Sequence, residues 1–177
     1  MSRIARQVLG AAAVAIALVS CTSTLPSAAN RDYKSRAVTR TEGGVRVSTA
    51  VLSADESAAI YGVPLAKKTI QAVWIEIENR EDRAYYLLSP GLDPHFFSAS
   101  EASEILAWGA AAEQKVELAR RFRQLAFRNP VLPGVTTSGF VLTNLDEGFK
   151  FVQIDLVSNG LARTFSILAI VPAPITA

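Results

Sequence analysis

Residues that commonly carry chemistry are scarce in this chain. It has one cysteine, Cys21, and one histidine, His95, among its 177 residues. An internal disulfide needs two cysteines, and a transition-metal site would have no second histidine to complete it. The patterns G-x-S-x-G, H-E-x-x-H and the phosphate-binding P-loop are also missing from the sequence. We therefore expect a protein that is not an enzyme and that holds neither a cofactor nor a metal.

A clear excess of one charge is missing as well. The chain has 18 lysines and arginines against 16 aspartates and glutamates. Two of the arginines, Arg3 and Arg6, lie in the N-terminal segment, and without them the two signs balance. Nucleic-acid binding usually requires a basic surplus. We therefore expect no nucleic-acid partner.

The first twenty residues have the organisation of an export signal. Arg3 and Arg6 precede an apolar run, Val8–Val19, of twelve residues. A helix needs about 20 apolar residues to cross a bilayer, so this run is too short for a permanent span. Its length and its basic start are typical of a cleaved signal peptide, here residues 1–20.

The end of this signal suggests how the protein is held. Leu18-Val19-Ser20-Cys21 resembles the lipobox of bacterial lipoproteins. The resemblance implies cleavage before Cys21, a diacylglyceryl thioether on its sulfur and commonly a further acyl group, such as palmitate, on its amine. Thr22, in place of the aspartate that often signals inner-membrane retention, points to the outer membrane facing the periplasm. The alternative is an ordinary secretory signal that ends beside a cysteine.

A linker is predicted between the anchor and the domain. Residues 21–41 are mostly Thr, Ser, Pro, Ala and Arg without apolar periodicity, which is typical of a disordered tether. Its basic residues are either solvated or in contact with anionic lipid head groups. Those residues are Arg31, Lys34, Arg36 and Arg40. The folded domain is expected to span residues 42–177.

Alternating and β-branched segments predict short antiparallel strands. Their expected ranges are Val45–Val51, Ile70–Glu78, Ala84–Ser89, Thr137–Thr143, Phe149–Val157 and Leu161–Val171. Asn159-Gly160 predicts a tight hairpin between the last two. The last strand is apolar on both faces, so we expect it to be central in its sheet.

Two helical segments interrupt these strands. Ser53-Ala54-Asp55-Glu56 is a capping box, and Gly62 ends the helix it starts. A longer insertion at about residues 99–128 has apolar residues at three- and four-residue spacing, with Gly109 as a break. The expected apolar stripe consists of Ile105, Trp108, Ala112, Val116, Ala119, Phe122 and Ala126.

Together these elements predict a mainly β protein, an antiparallel β-sandwich with a helical insertion. Two stretches, Val73–Asn79 with Tyr85-Tyr86-Leu87 and Pro133–Gly148, resemble immunoglobulin-like domains of bacterial envelope proteins. The resemblance implies an architecture and no named activity. The helical insertion departs from a plain sandwich.

The candidate binding surface combines a loop with the end of the long helix. Asp93, His95, Phe96 and Phe97 lie together in an aromatic loop, and loops on rigid sandwiches often bind partners. The alternative is that Phe96 and Phe97 plug the sandwich edge.

Arg120, Arg121 and Arg123 crowd the C-terminal turns of the long helix, close to Arg128. They either stabilise the helix end, with Glu117 pairing with Arg121, or dock an acidic partner or a phosphate-bearing lipid. Asp146, Glu147 and Asp155 are interpreted as solvated hairpin charges rather than a calcium site.

Three function classes follow from these features. The first is a membrane-anchored binding or assembly module of the bacterial cell envelope, which works by protein contact. The second is a carrier that holds a lipid or another apolar ligand between the helix and the sheet. The third, a hydrolase, is the least supported. An enclosed apolar cavity would favour the carrier, and a closed core with an exposed aromatic patch would favour the module.

Overall fold

The computed structural model describes residues 32–88 and 96–173. The strands in this part of the chain are β1 Val38–Glu42, β2 Val45–Val51, β3 Ile70–Asn79, β4 Tyr86–Leu88, β5 Thr136–Asn144, β6 Phe149–Ser158 and β7 Leu161–Ile170. The helices are α1 Ala54–Tyr61, α2 Ala99–Leu106 and α3 Ala112–Leu125, with short 3-10 turns at Asp32–Arg36 and Leu65–Lys68. The export signal and Cys21 lie outside the described residues.

The strands form two antiparallel sheets, and this confirms the mainly β prediction. One sheet has the order β1-β2-β3-β5 and the other β4-β6-β7. The helical insertion, α2 and α3, follows β4 in the chain and precedes β5. Among the described helices, none is long and apolar enough to cross a membrane.

Two apolar clusters hold the layers together. The inner cluster fills the space between the sheets and includes Val47, Ile75, Ile154 and Ile167. The outer cluster lies between the four-stranded sheet and the helices, around Trp74, Phe140 and Phe122. Since successive side chains of a strand point to opposite faces, β3 contributes to both clusters and is buried on both sides.

The local sequence signals are confirmed where they are strongest. The Ser53 hydroxyl accepts a hydrogen bond from the Glu56 amide at 3.1 Å, and a Glu56 carboxylate oxygen accepts one from the Ser53 amide at 2.8 Å. These two bonds complete the capping box of α1. Gly62 ends that helix with φ of 74°. The Asn159-Gly160 turn joins β6 to β7 in register from Ser158↔Leu161 to Phe149↔Ile170.

The domain begins earlier than predicted. Residues 32–41 were assigned to the disordered tether, but β1 pairs with β2 from Val38↔Thr49 to Glu42↔Val45. Ahead of it, Tyr33 is buried, with its ring 5.8 Å from that of Trp74 and 5.9 Å from that of Phe140. The segment looks like a linker because β1 is an edge strand whose residues are mostly exposed, so it has no apolar alternation to detect.

The position of β7 also differs from the prediction. It was expected to be a central strand because it is apolar on both faces, but it lies at the edge of the sheet β4-β6-β7. Phe165 and Ile167 point into the inner cluster, whereas Leu168 and Ile170 on the other face are 59% and 69% exposed. Apolar character on two faces indicates burial on two faces, and among the described residues no layer covers the second face of β7.

Candidate functional site

The predicted aromatic loop is described only in part. Asp93 and His95 lie outside the described residues. Phe96 and Phe97 are both half-buried. The Phe97 amide donates a hydrogen bond to the Leu142 carbonyl at 2.9 Å, which fastens this residue to the edge strand β5.

The two phenylalanines contact different layers of the core. Phe96 packs against the inner cluster and Phe97 against the outer one. With Phe122, Phe127 and neighbouring residues they line a cavity of about 70 Å³. This is the arrangement expected of the plug interpretation, since side chains at these positions close the gap between the sandwich and the helical insertion.

Of the predicted arginines, Arg120 makes a local ion pair. Its guanidinium donates to both carboxylate oxygens of Glu117, at 2.7 and 2.9 Å. This hydrogen bonding lowers the pKa of Glu117 and raises the pKa of Arg120. The sequence prediction that Glu117 pairs with Arg121 is therefore wrong, because Arg120 reaches the carboxylate at i+3. Both side chains are half exposed, so the pair contributes little to stability.

Arg121 instead connects α3 to the end of α1. Its guanidinium donates to the Tyr61 carbonyl at 3.2 Å, at the C-terminus of α1. It lies against Gly62, where a Cβ would have to displace the guanidinium and where the positive φ disfavours a larger residue. The Tyr61 ring is buried with its centroid 4.6 Å from that of Phe122, and burial raises the pKa of its hydroxyl. Arg121 and Phe122 thus bind α3 to α1.

Arg123 lies on a different surface, which we call the hairpin groove. This open groove between α2 and α3 has a volume of about 660 Å³. Its lining includes Glu104, Ala107, Trp108, Lys115, Val116 and Arg123. It therefore brings the predicted Arg123 together with Trp108, which the sequence predicts on the apolar stripe of the helical insertion.

The exposure of that aromatic residue is a correction to the predicted stripe. Trp108 is 88% exposed and Val116 68% exposed, whereas Phe122 of the same stripe is buried. Gly109 adopts φ of 79° between the two helices, so α3 starts with a new rotational phase. One continuous helix would have kept Trp108 and Phe122 on related faces, but the chain reversal at Gly109 separates them.

The acidic residues of the β5–β6 turn do not come together with Asp155. Asp146 accepts a hydrogen bond at 2.7 Å from the ammonium group of Lys150, a buried residue at the end of the sandwich. Asp155 lies on β6, where it accepts from the Thr164 hydroxyl at 2.6 Å and from the Gln153 amide. Within residues 32–88 and 96–173, no three His, Cys, Asp or Glu residues form a group that could hold a metal ion.

A polar cluster that no sequence pattern predicts lies at the opposite end of the sandwich. Glu81 accepts hydrogen bonds from the Gly44 amide at 3.0 Å and the Tyr85 hydroxyl at 2.7 Å. An Arg163 nitrogen lies 2.7 Å from its carboxylate. The hydrogen bond from Tyr85, followed by that from Gly44, lowers the pKa of Glu81. Burial, followed by the hydrogen bond to Glu81, raises the pKa of Tyr85.

This cluster is structural. Gly44 directly precedes β2 of the four-stranded sheet, Tyr85 precedes β4 and Arg163 lies on β7, so one carboxylate connects both sheets. Only the fold brings these residues together, since 37 residues separate Gly44 from Glu81 along the chain.

Comparison with protein-family descriptions, with curated proteins and with solved structures finds no match to this chain. The function is therefore argued from the residues and their geometry.

Proposed function

We propose that this protein is a lipoprotein of the bacterial cell envelope, anchored through Cys21, that binds a partner protein through the hairpin groove. The observation that carries the binding role is Trp108, which is 88% exposed beside the exposed Val116. Tryptophan is enriched among the residues that dominate protein interfaces, because its large ring gains most when a partner covers it.

The charges around the groove indicate the chemistry of the partner. Lys115 and Arg123 line it on α3, and Glu104 lines it on α2, so the basic groups are in excess. We infer a partner segment that places an apolar side chain over Trp108 and a carboxylate near Arg123. An arginine can bind a carboxylate with two parallel hydrogen bonds, which would fix the orientation of the segment.

Cavity size favours this module over a lipid carrier. The space enclosed between the helical insertion and the four-stranded sheet is about 70 Å³, whereas pockets for small ligands are usually ~300–1,000 Å³. An acyl chain would have to separate Phe97, Phe122 and Phe140 to enter it. The large groove is instead open to solvent, as a protein-docking surface requires.

The early start of the fold shortens the tether. Ten residues, 22–31, separate Cys21 from Asp32, and a flexible segment of that length has an r.m.s. span of roughly 18 Å. An anchor on Cys21 would thus hold the sandwich close to the membrane. We propose that this membrane surface is the periplasmic face of the outer membrane. The basic residues Lys34 and Arg36 have contacts within the fold, with Trp74 and Glu56 respectively. This leaves Arg40 as a candidate for head-group contact, and Arg31 lies outside the described residues.

The anchor is tested by metabolic labelling with a fatty acid. We expect the label on the parent protein and none on Cys21→Ala, whose precursor should also stay uncleaved. Equal label on both proteins would refute lipidation at Cys21 and leave the binding role to be judged separately.

The binding role is tested by recovery of membrane partners with the tagged full chain. Trp108→Ala and Arg123→Glu should each reduce a specific partner by about tenfold or more, as loss of an interface anchor does. Leu132→Ala is the matched control, since Leu132 is also an exposed apolar residue, at 51%, and lies away from the groove. Unchanged recovery with both groove variants, while all variants melt like the parent, would contradict the proposal.

A further inference from the structure

A second exposed apolar surface lies on the opposite side of the sandwich. We call it the outer sheet face, and it is the solvent side of β4-β6-β7. Its six large apolar side chains are all more than 40% exposed: Tyr86, Leu88, Phe149, Phe151, Leu168 and Ile170. The helices pack on the other sheet, so among the described residues none covers this face.

Strand register places these side chains on one face of the sheet, in two groups that the polar pairs Gln153↔Ser166 and Asp155↔Thr164 separate. Phe149 is directly opposite Ile170, and Phe151 is directly opposite Leu168. Tyr86 and Leu88 extend the same face onto β4, opposite Val157 and Asp155. The combined exposed area of the six side chains is roughly 600 Å², as large as the largest apolar patch on a typical monomer.

From this surface we infer that the outer sheet face binds the same face of a second copy of this chain. The area is the first argument. The four side chains at the Phe149 end expose roughly 450 Å², so with the residues around them two copies would bury about 1,000 Å², the size that a specific interface needs. The sequence of β7 is the second, because a strand that is apolar on both faces is typical of one covered on both.

Charge favours a second copy over a lipid surface. Among the outward positions of the described strands β4, β6 and β7, Asp155 is the one charged residue, and it is held by Thr164 and Gln153. Lys150 and Arg163 point the other way, into the fold. A surface that binds anionic lipids normally carries unpaired lysine or arginine beside its apolar residues, whereas Arg83, which lies beside Tyr86, is within 4 Å of the carboxylates of Glu81 and Asp82.

A twofold arrangement satisfies this pattern. With the axis close to Phe151 and Leu168, the apolar end of each face covers the apolar end of the other. Asp155 lies four residues from Phe151 along β6, about 13 Å, so the two copies of Asp155 fall on opposite sides of the axis and do not repel. Because α2 and α3 lie on the other sheet, both hairpin grooves stay open, and the dimer presents two of them.

The direct test is the mass of the full chain in detergent micelles, measured by sedimentation between about 1 and 50 µM. We expect a dimer, and we expect Phe151→Glu and Leu168→Glu each to raise its dissociation constant about 100-fold, as a charge buried at the centre of an interface would. Both residues are more than half exposed, so the variants should melt like the parent. Val116→Glu, on the groove, should remain dimeric.

Disulfide trapping gives an independent readout. Phe151→Cys should form a covalent dimer under mild oxidation, whereas Asn159→Cys, at the exposed turn between β6 and β7, should not. The parent chain, whose single cysteine is Cys21, is the control for any link through that residue.

Three results would overturn the inference. One is a monomer at every concentration. Another is a dimer that both glutamate variants leave intact. The third combines two observations: the protein is a monomer in micelles, and phospholipid vesicles protect the thiol of the Phe151→Cys variant from a water-soluble maleimide. This face would then bind the bilayer.

Discussion

Tyr33 offers the sharpest test of where the folded domain begins. If residues 32–41 were a tether, replacing Tyr33 with alanine would change the free energy of unfolding very little. In the structure this side chain is 7% exposed, and its ring contacts Trp74 and Phe140. Removing a buried aromatic ring costs about 3–5 kcal/mol, and we expect about 3 kcal/mol because the site lies at the edge of the outer cluster.

The measurement is urea unfolding of the parent, Tyr33→Ala and Tyr33→Phe, followed by circular dichroism and checked by thermal melts. A loss of about 3 kcal/mol lowers the melting temperature by roughly 10 °C in a domain of this size. Tyr33→Phe keeps the ring and should retain most of the stability. A Tyr33→Ala variant within about 0.5 kcal/mol of the parent, the range of ordinary surface substitutions, would refute the contact and restore the tether.

Three further substitutions test other parts of the fold. The pKa of Glu81 is lowered in the folded state, so its contribution to stability is present above the unfolded pKa of about 4.3 and is lost as the pH falls through the folded pKa. In an acid titration, the free energy of unfolding of Glu81→Gln should therefore decline less steeply below about pH 4 than that of the parent. Gly62→Ala should lose about 1–2 kcal/mol in denaturant unfolding, because alanine is strained at φ of 74° and would displace Arg121; parent-like stability would count against that link. Phe97→Ala should lose about 2 kcal/mol and keep its membrane partners, since Phe97 is half-buried in the core; full stability with lost partners would make it a binding anchor instead.

The sequence predicts most accurately the structural features that depend on a few consecutive residues. The capping box at Ser53 and the Asn159-Gly160 turn need only a few consecutive positions, and the alternation in Val45–Val51 reports a strand with one side toward the core. These signals placed most strands within a few residues, and they sufficed to predict a mainly β sandwich.

The errors arose where contacts between distant residues decide the outcome. Periodicity shows that β7 is apolar on two faces but not which strands lie beside it, so an edge strand was taken for a central one. Trp108 fits the apolar spacing of α3 until Gly109 reverses the chain.

The candidate site was predicted only in part for the same reason. The basic helix end identifies Arg123, but the apolar spacing places its neighbour Trp108 on the same stripe as the buried Phe122. The Glu81 cluster joins Gly44, Tyr85 and Arg163 from three separate segments, and no local pattern signals such a meeting.

The most direct test of the proposed binding role is site-specific photo-cross-linking in living cells. A photoreactive amino acid at Val116, in the hairpin groove, should give one discrete adduct with a membrane-associated protein, and Trp108→Ala should abolish it. The same amino acid at Asn159, exposed at the far end of the sandwich, should not give that adduct. No adduct from Val116, or the same adducts from both positions, would contradict the proposal that this groove is the binding surface.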